Sequence, residues 1–422
     1  MLTGRKADSK LLYGVVALMA LAASVWLGYQ FWRLLFQAGE MGAIDLLKRH
    51  LEARSLVAGR PIYELLRDAV YPPASYLLLW PLVGWLNETL VRYGWALTTV
   101  MALVVTQIQI LRVVRPANAV SKAFWLLLPL SMYATGATIG NGQLIVHIVP
   151  CLLGCLLLLD RSGRSWQQTA LLVALTLFAL VKPNATAPFF WLLVLRAPLA
   201  AGVTALTYGL LTAGAALFQP GYGPVTLFQA WLTAGMSGIE YGSTAETYIP
   251  EVEEYVIGYG SLFSNISIHS VLSFYDLGHW NKLASLAILV ALGLWLLRYR
   301  NRDIWILASL AALVSKFWTY QGWYDDLVLI IPLIALYRVW IYGSASDYWR
   351  ARARDLFALV FVFTLAPGGI YLFPAPFNLI YLLLQTLVLA LVATLMLLLC
   401  LKPDLGRLRS AQAQANFEQR RA

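Results

Sequence analysis

The sequence predicts an all-α polytopic membrane protein with about twelve transmembrane helices, and three observations predict it. The 422 residues are 60% hydrophobic and only 12% charged. Apolar runs recur along the whole length, more than one soluble core can hide. Lysine and arginine fall mainly in alternate loops between those runs.

The first run, 11–36, follows a basic tip of Arg5, Lys6 and Lys10. Its Ala20-Leu21-Ala22 triplet resembles a signal-peptidase site, but the run continues well past it and is long enough to span. The run 72–86 opens on the Pro72-Pro73 pair and reads as a re-entrant or membrane-surface helix. Counting it as a span would turn every later basic loop to the opposite side. The further spans are expected near 93–113, 123–137, 144–160, 168–181, 185–196, 198–218, 281–298, 304–318, 326–341, 355–371 and 378–401. Two of them, 168–181 and 185–196, are short at about 1.5 Å rise per residue; they suggest a hairpin that does not fully cross. With the amino terminus cytoplasmic, 21 of the 31 basic residues lie on the cytoplasmic side, so both termini are expected there.

The net charge of +10 belongs to those loops facing anionic lipid. Basic and aromatic residues do not interleave as in a nucleic-acid groove, so nucleic acid is excluded as a partner. Cys151, Cys155 and Cys400 all fall in expected spans, which argues against disulfides and a zinc site. Phosphate-loop, dinucleotide, His-Glu-x-x-His and nucleophile-elbow patterns are missing, and neither a cofactor nor a metal is indicated.

Within this single domain, 1–422, the cytoplasmic loops are short and two outer segments are long, 37–92 and 219–281. The outer side also takes 14 of the 21 acidic residues. Carboxylates are not needed to set orientation, so the chemistry is expected outside.

The order of a long first span, Asp45-Leu46 just beyond it, "AGRPIY" at 58–63 and "YPP" at 71–73 resembles the first outer loop of polyprenyl-phosphate-sugar-dependent, C-type (GT-C) glycosyltransferases. More closely it is similar to their bacterial mannosyltransferase-like family 87. "GNGQ" at 140–143, "VKPN" at 181–184, "SNIS" at 264–267 and "WYDD" at 323–326 follow in the family's order, while the family's His-His version of the last segment is absent. The resemblance implies a GT-C fold in the bacterial cytoplasmic membrane. It also implies an inverting transfer of a sugar, mannose by analogy, from a polyprenyl-phosphate carrier to a lipid or glycan acceptor of the envelope. Such a reaction needs a carboxylate to take the proton of the attacking hydroxyl, and donors to stabilise the departing phosphate.

Asp45 occupies the family's base position; the alternative is a cap on a helix over 46–58. Arg49 and Glu52, on the same face, read as a surface ion pair. Lys182 sits at membrane depth, where an unpaired ammonium is costly, and so should meet a protein carboxylate or the donor's phosphate. Asn141 and Gln143 offer amides beside Gly140 and Gly142, whose bare backbone admits a ligand; the alternative is a polar cap between helices. Tyr71 and Asn265 join them as substrate-binding candidates, and His269 as a second donor to phosphate, or a satisfied surface histidine. Asp325 is an acceptor-binding candidate; Asp325 and Asp326, being adjacent, point apart and make a poor metal pair. The acidic stretch 240–259 reads as a flap or as a solvated loop. Two rival readings are a lipid-linked sugar flippase, for which internal repeats are missing, and an oligosaccharide polymerase or ligase, disfavoured because no arginine falls between Gln219 and Asn281.

Overall fold

The computed structural model of the chain describes residues 6–37, 42–66, 69–161, 163–244, 247–248, 255–256, 267–319, 321–343, 346–365 and 376–402. The first apolar run forms α1 (Lys6–Phe36), and the charged segment after it forms α2 (Ile44–Val57) and one turn, α3 (Ile62–Leu65). From the proline pair runs α4 (Pro73–Leu79), prolonged by a π-helical segment, Trp80–Gly84. Those 7 and 5 residues are well under the ~20 that a crossing needs.

Next come α5 (Glu88–Val114), α6 (Ala119–Ser131), α7 (Tyr133–Asn141), α8 (Ile145–Leu159), α9 (Trp166–Ala179), α10 (Pro183–Arg196) and α11 (Pro198–Ala215). Caps and prolines set these starts. Asn87 accepts from the Leu90 N–H, Asn118 from that of Ser121, and Ser165 with Gln168 closes a capping box on α9. Pro183 and Pro198 stand at first helical positions, where the missing N–H costs nothing. The second long segment, expected as a loop, contains α12 (Pro224–Thr244) and α13 (Ile268–Phe274). It also holds the exception to the all-helical expectation, two short antiparallel strands pairing Thr247 with Val256 and Tyr248 with Tyr255. Most of the acidic stretch 240–259 lies outside the described residues. The chain continues through α14 (Asn281–Arg298), α15 (Ile304–Phe317), a 3-10 segment Trp323–Leu329, α16 (Ile330–Tyr342), α17 (Asp347–Leu365) and α18 (Phe377–Leu401).

Among the described residues, five helices are long and apolar enough to cross a membrane, or six if α6 and α7, bent by 44°, count as one. This differs from the twelve spans expected. The reason is length: α8, α9 and α15 have 15, 14 and 14 residues, so each rises only about 21–23 Å against a hydrocarbon core of about 30 Å. Two of these short helices lie inside the bundle. α15 is buried on nearly every face, as is its neighbour α16, and α8 packs on α5 and α9. In α1, by contrast, only 11% of the apolar window is buried within the protein, which leaves most of its leucines and valines for lipid.

Two polar zones mark the ends of the bundle. At one, Arg196 reaches the Arg302 carbonyl at 2.7 Å, Arg302 the Cys400 carbonyl at 2.9 Å, Tyr342 the Val114 carbonyl at 2.8 Å and Arg338 the Asp303 carboxylate at 3.3 Å. At the other, the junctions α1–α2, α7–α8, α9–α10 and α15–α16 meet.

Candidate active site

α2 begins abruptly. Ala43 holds a left-handed conformation at φ 54°, rare for a residue with a Cβ, and its N–H donates to the Gly140 carbonyl at 3.1 Å. Arg92 ties down the approach, donating to the carbonyls of Leu34, Gln37 and Gly42 at 3.1, 2.9 and 3.3 Å. Ala43 is the N-cap and no side chain caps α2, which removes the capping alternative for Asp45. The Asp45 side chain instead lies in a cleft shared with Gln143, Arg49 and Lys182, and it remains partly accessible.

One amide organises the centre. The Lys182 ammonium donates to Gln143 Oε1 at 3.3 Å, which leaves the Gln143 amide N–H to hydrogen-bond the Asp45 carboxyl. Lys182 also pairs with Asp325 Oδ1 at 2.5 Å and lies 4.9 Å from the centre of the Tyr324 ring. Of the two partners the sequence allowed it, the carboxylate is present. Asp325 Oδ2 is buried with no hydrogen-bond partner, so the pair keeps an acceptor in reserve. Burial pushes Asp45 above the usual carboxylate range, against the pull of Arg49, Gln143 and Lys182. For Lys182, burial acts to lower the affinity for its proton, but Asp325, Tyr71 and Asp45 outweigh it and the ammonium is held.

Arg49 and Glu52 correct the surface-pair expectation: both are buried, joined at 2.7 Å, and the guanidinium lies 4.4 Å from the centre of the Tyr71 ring. A guanidinium stacked this way gains cation–π attraction that an exposed pair lacks. Tyr71 is itself fixed, its carbonyl accepting from Tyr63 at 2.8 Å and its N–H donating to Tyr76 at 3.2 Å. Burial raises its phenol, so it stays a neutral hydroxyl.

The glycines of "GNGQ" serve a different purpose from the one expected. A Cβ at Gly140 would collide with Gln30, and one at Gly142, where φ is +70°, with Leu46. Their bare backbone admits α1 and α2 rather than a ligand. Asn141 accepts from Arg33 at 3.2 Å, which joins α7 to α1 beside the cleft. His269 is engaged elsewhere: its Nε2 is 2.6 Å from the Ser285 hydroxyl, which reaches the Trp318 carbonyl at 2.7 Å. Burial pulls its pKa down to about 4, leaving it uncharged at neutral pH. Asn265 lies outside the described residues.

Asp325 and Asp326 do point apart. Asp326 pairs with Lys316 and accepts from Gln385 at 3.1 Å, and no group of three potential metal ligands occurs among the described residues. Sequence reasoning missed Tyr324, the Lys316–Gln385 support and the depth of Arg49. Only Arg49 carried a signal, one helical turn after Asp45.

The cleft thus joins a carboxylate with a raised proton affinity, a buried ammonium, an amide and a neutral phenol. That set can take a proton from a hydroxyl and receive an anionic leaving group. A family model described as glycosyltransferase family 87 matches residues 69–319, more than half of the chain, spanning Tyr71, Gln143 and Lys182 but not Asp45 or Asp325. No curated protein and no solved structure matches.

Proposed function

The chain belongs to glycosyltransferase family 87, and on that premise we propose that it moves a sugar from a polyprenyl-phosphate carrier to an envelope lipid or glycan. The reaction takes place at the outer face of the bacterial cytoplasmic membrane. Both termini are cytoplasmic, and mannose is the sugar proposed by analogy with the family.

In this reading the acceptor's hydroxyl oxygen attacks the anomeric carbon while Asp45 takes its proton. The bond from that carbon to the phosphate oxygen breaks, and the carrier phosphate leaves with the electron pair. A single displacement inverts the anomeric centre. Lys182, the Tyr71 hydroxyl and the Gln143 amide receive the phosphate, whose existing charge makes it a competent leaving group. Lys182 exchanges Asp325 for phosphate as the donor enters, which frees both Asp325 oxygens to accept from sugar or acceptor hydroxyls. Asn141, held by Arg33, stands beside these groups.

The observation that carries this reading is the convergence of Asp45, Tyr71, Gln143, Lys182 and Asp325 from five separate junctions into one cleft. A cleft so placed serves a substrate whose reactive phosphate lies at the membrane boundary. The test supplies the purified chain with radiolabelled polyprenyl-phosphate mannose and a crude envelope-lipid acceptor. Label should pass to the acceptor, and a labelled sugar nucleotide, given without carrier, should not support transfer. Transfer from the nucleotide alone would overturn the donor assignment.

A further inference from the structure

A second cavity lies away from the cleft, where the start of α1 and the middle of α17 leave a gap floored by α6 and α16. Its volume is about 310 Å³, and its lining is almost wholly apolar, including Leu12, Phe124, Trp340 and Phe361, with Arg354 the one charged residue among the described residues that line it. That volume lies at the lower end of the ~300–1,000 Å³ of small-ligand pockets. Ala358, exposed on α17, forms part of the wall, so the cavity is a crevice open along the side of the bundle.

The rim is basic. Arg350, Arg352 and Arg354 rise from the first turns of α17 with side chains 40%, 56% and 38% exposed. Lys10 and Lys122, both exposed, directly adjoin the lining residues Leu11 and Ser121. Asp347 pairs with Arg350, and Asp355 with both Arg352 and Arg354; among the described residues named here, five basic side chains face two acidic ones, so the rim keeps a positive excess. Arg350 is fixed in place, donating to the Trp340 carbonyl at 2.9 Å.

The geometry points to a binding site for an anionic phospholipid, one acyl chain lying in the aromatic crevice and the phosphate among the arginines. An apolar slot ending in basic side chains matches a lipid tail and a negative head group together, at the end of the bundle where the basic loops gather. The chain's own carboxyl-terminal segment, 403–422, is a poorer occupant because its arginines would meet a rim of the same sign. The site belongs to the leaflet opposite the proposed chemistry and does not depend on the glycosyltransfer reading.

The test equilibrates the full-length chain in detergent with equal amounts of phosphatidylglycerol and phosphatidylcholine, and native mass spectrometry counts the lipids retained. One phosphatidylglycerol should be kept in preference to phosphatidylcholine. Arg354→Gln should weaken retention about fivefold, the worth of one basic residue near an anionic surface. Ala358→Phe, which fills the crevice without touching a charge, should abolish the adduct. Equal retention of the two lipids would overturn the assignment, as would a phosphatidylglycerol adduct indifferent to both substitutions. Retention seen only after residues 403–422 are removed would give the crevice to that segment instead.

Discussion

Replacing Lys182 by methionine separates what the buried ion pair does for the fold from what the ammonium does for the reaction. Lys182 and Asp325 meet at 2.5 Å with side chains only 4% and 1% exposed. Lys182→Met alone strands a carboxylate in that setting, and breaking a buried pair from one side costs about 3–5 kcal/mol. Against a total stability of about 5–15 kcal/mol, that loss alone could abolish activity for trivial reasons. The double variant Lys182→Met/Asp325→Asn removes both charges and leaves no carboxylate stranded, so most of the stability should return. Activity should not return, because losing a group that stabilises developing negative charge costs about 10²–10³ in rate. Thermal unfolding in detergent reads the first quantity, and transfer of label from polyprenyl-phosphate mannose reads the second. If the double variant turns over within about threefold of the parent, Lys182 is structural and another group receives the phosphate.

Asp45→Asn should fold as the parent does, since Asp45 caps nothing, while turnover falls by at least about a hundredfold as general-base assistance is lost; near-normal turnover would move the base to Asp325. Because burial raises Asp45 above its ordinary 3.8, the rate should be lost as pH falls through that raised value, placing the acid limb of kcat/KM above pH 3.8 and removing it in the Asn variant. The same shift makes the folded chain bind this proton more tightly than the unfolded one, so its contribution to stability declines as pH rises through the window between the two values. Arg92→Gln frees the carbonyls of Leu34, Gln37 and Gly42 and should lower kcat more than it raises the donor KM, as expected if it orients Asp45; equal loss in both, tracking unfolding, would make it merely structural. Gly142→Ala combines a φ of +70° with a collision at Leu46 and should destabilise by over about 1 kcal/mol, measured as a fall in Tm.

Much of this was legible in the sequence because the signals were local. Pro183, Pro198, Asn87 and Ser165 announce helix starts through their own backbone chemistry, and the elements begin beside them. Lys182 announces itself by the cost of an ammonium at membrane depth. What stayed hidden is set by contacts between distant segments. Nothing within α2 reveals that Arg49 is covered by Tyr71, 22 residues on and across a turn. The glycines at 140 and 142 read as openings for a ligand because their neighbours from α1 and α2 are remote in sequence. The count of spans is a related case: hydropathy reports how apolar a run is, whereas α8 and α15 are apolar, buried among other helices and shorter than the five or six helices that meet a crossing length among the described residues.

The adjacent carboxylates Asp325 and Asp326 serve lysines on opposite sides of one tight 3-10 segment. That arrangement makes the segment intolerant of changes in length. Removing or adding one residue between Phe317 and Ile330 rotates both carboxylates away from their partners together and strands Lys182 and Lys316 at once, whereas many substitutions nearby leave both pairs intact. Among variants of this chain, the junction before α16 should therefore accumulate changes of residue while keeping its length, the reverse of the pattern usual for a surface loop.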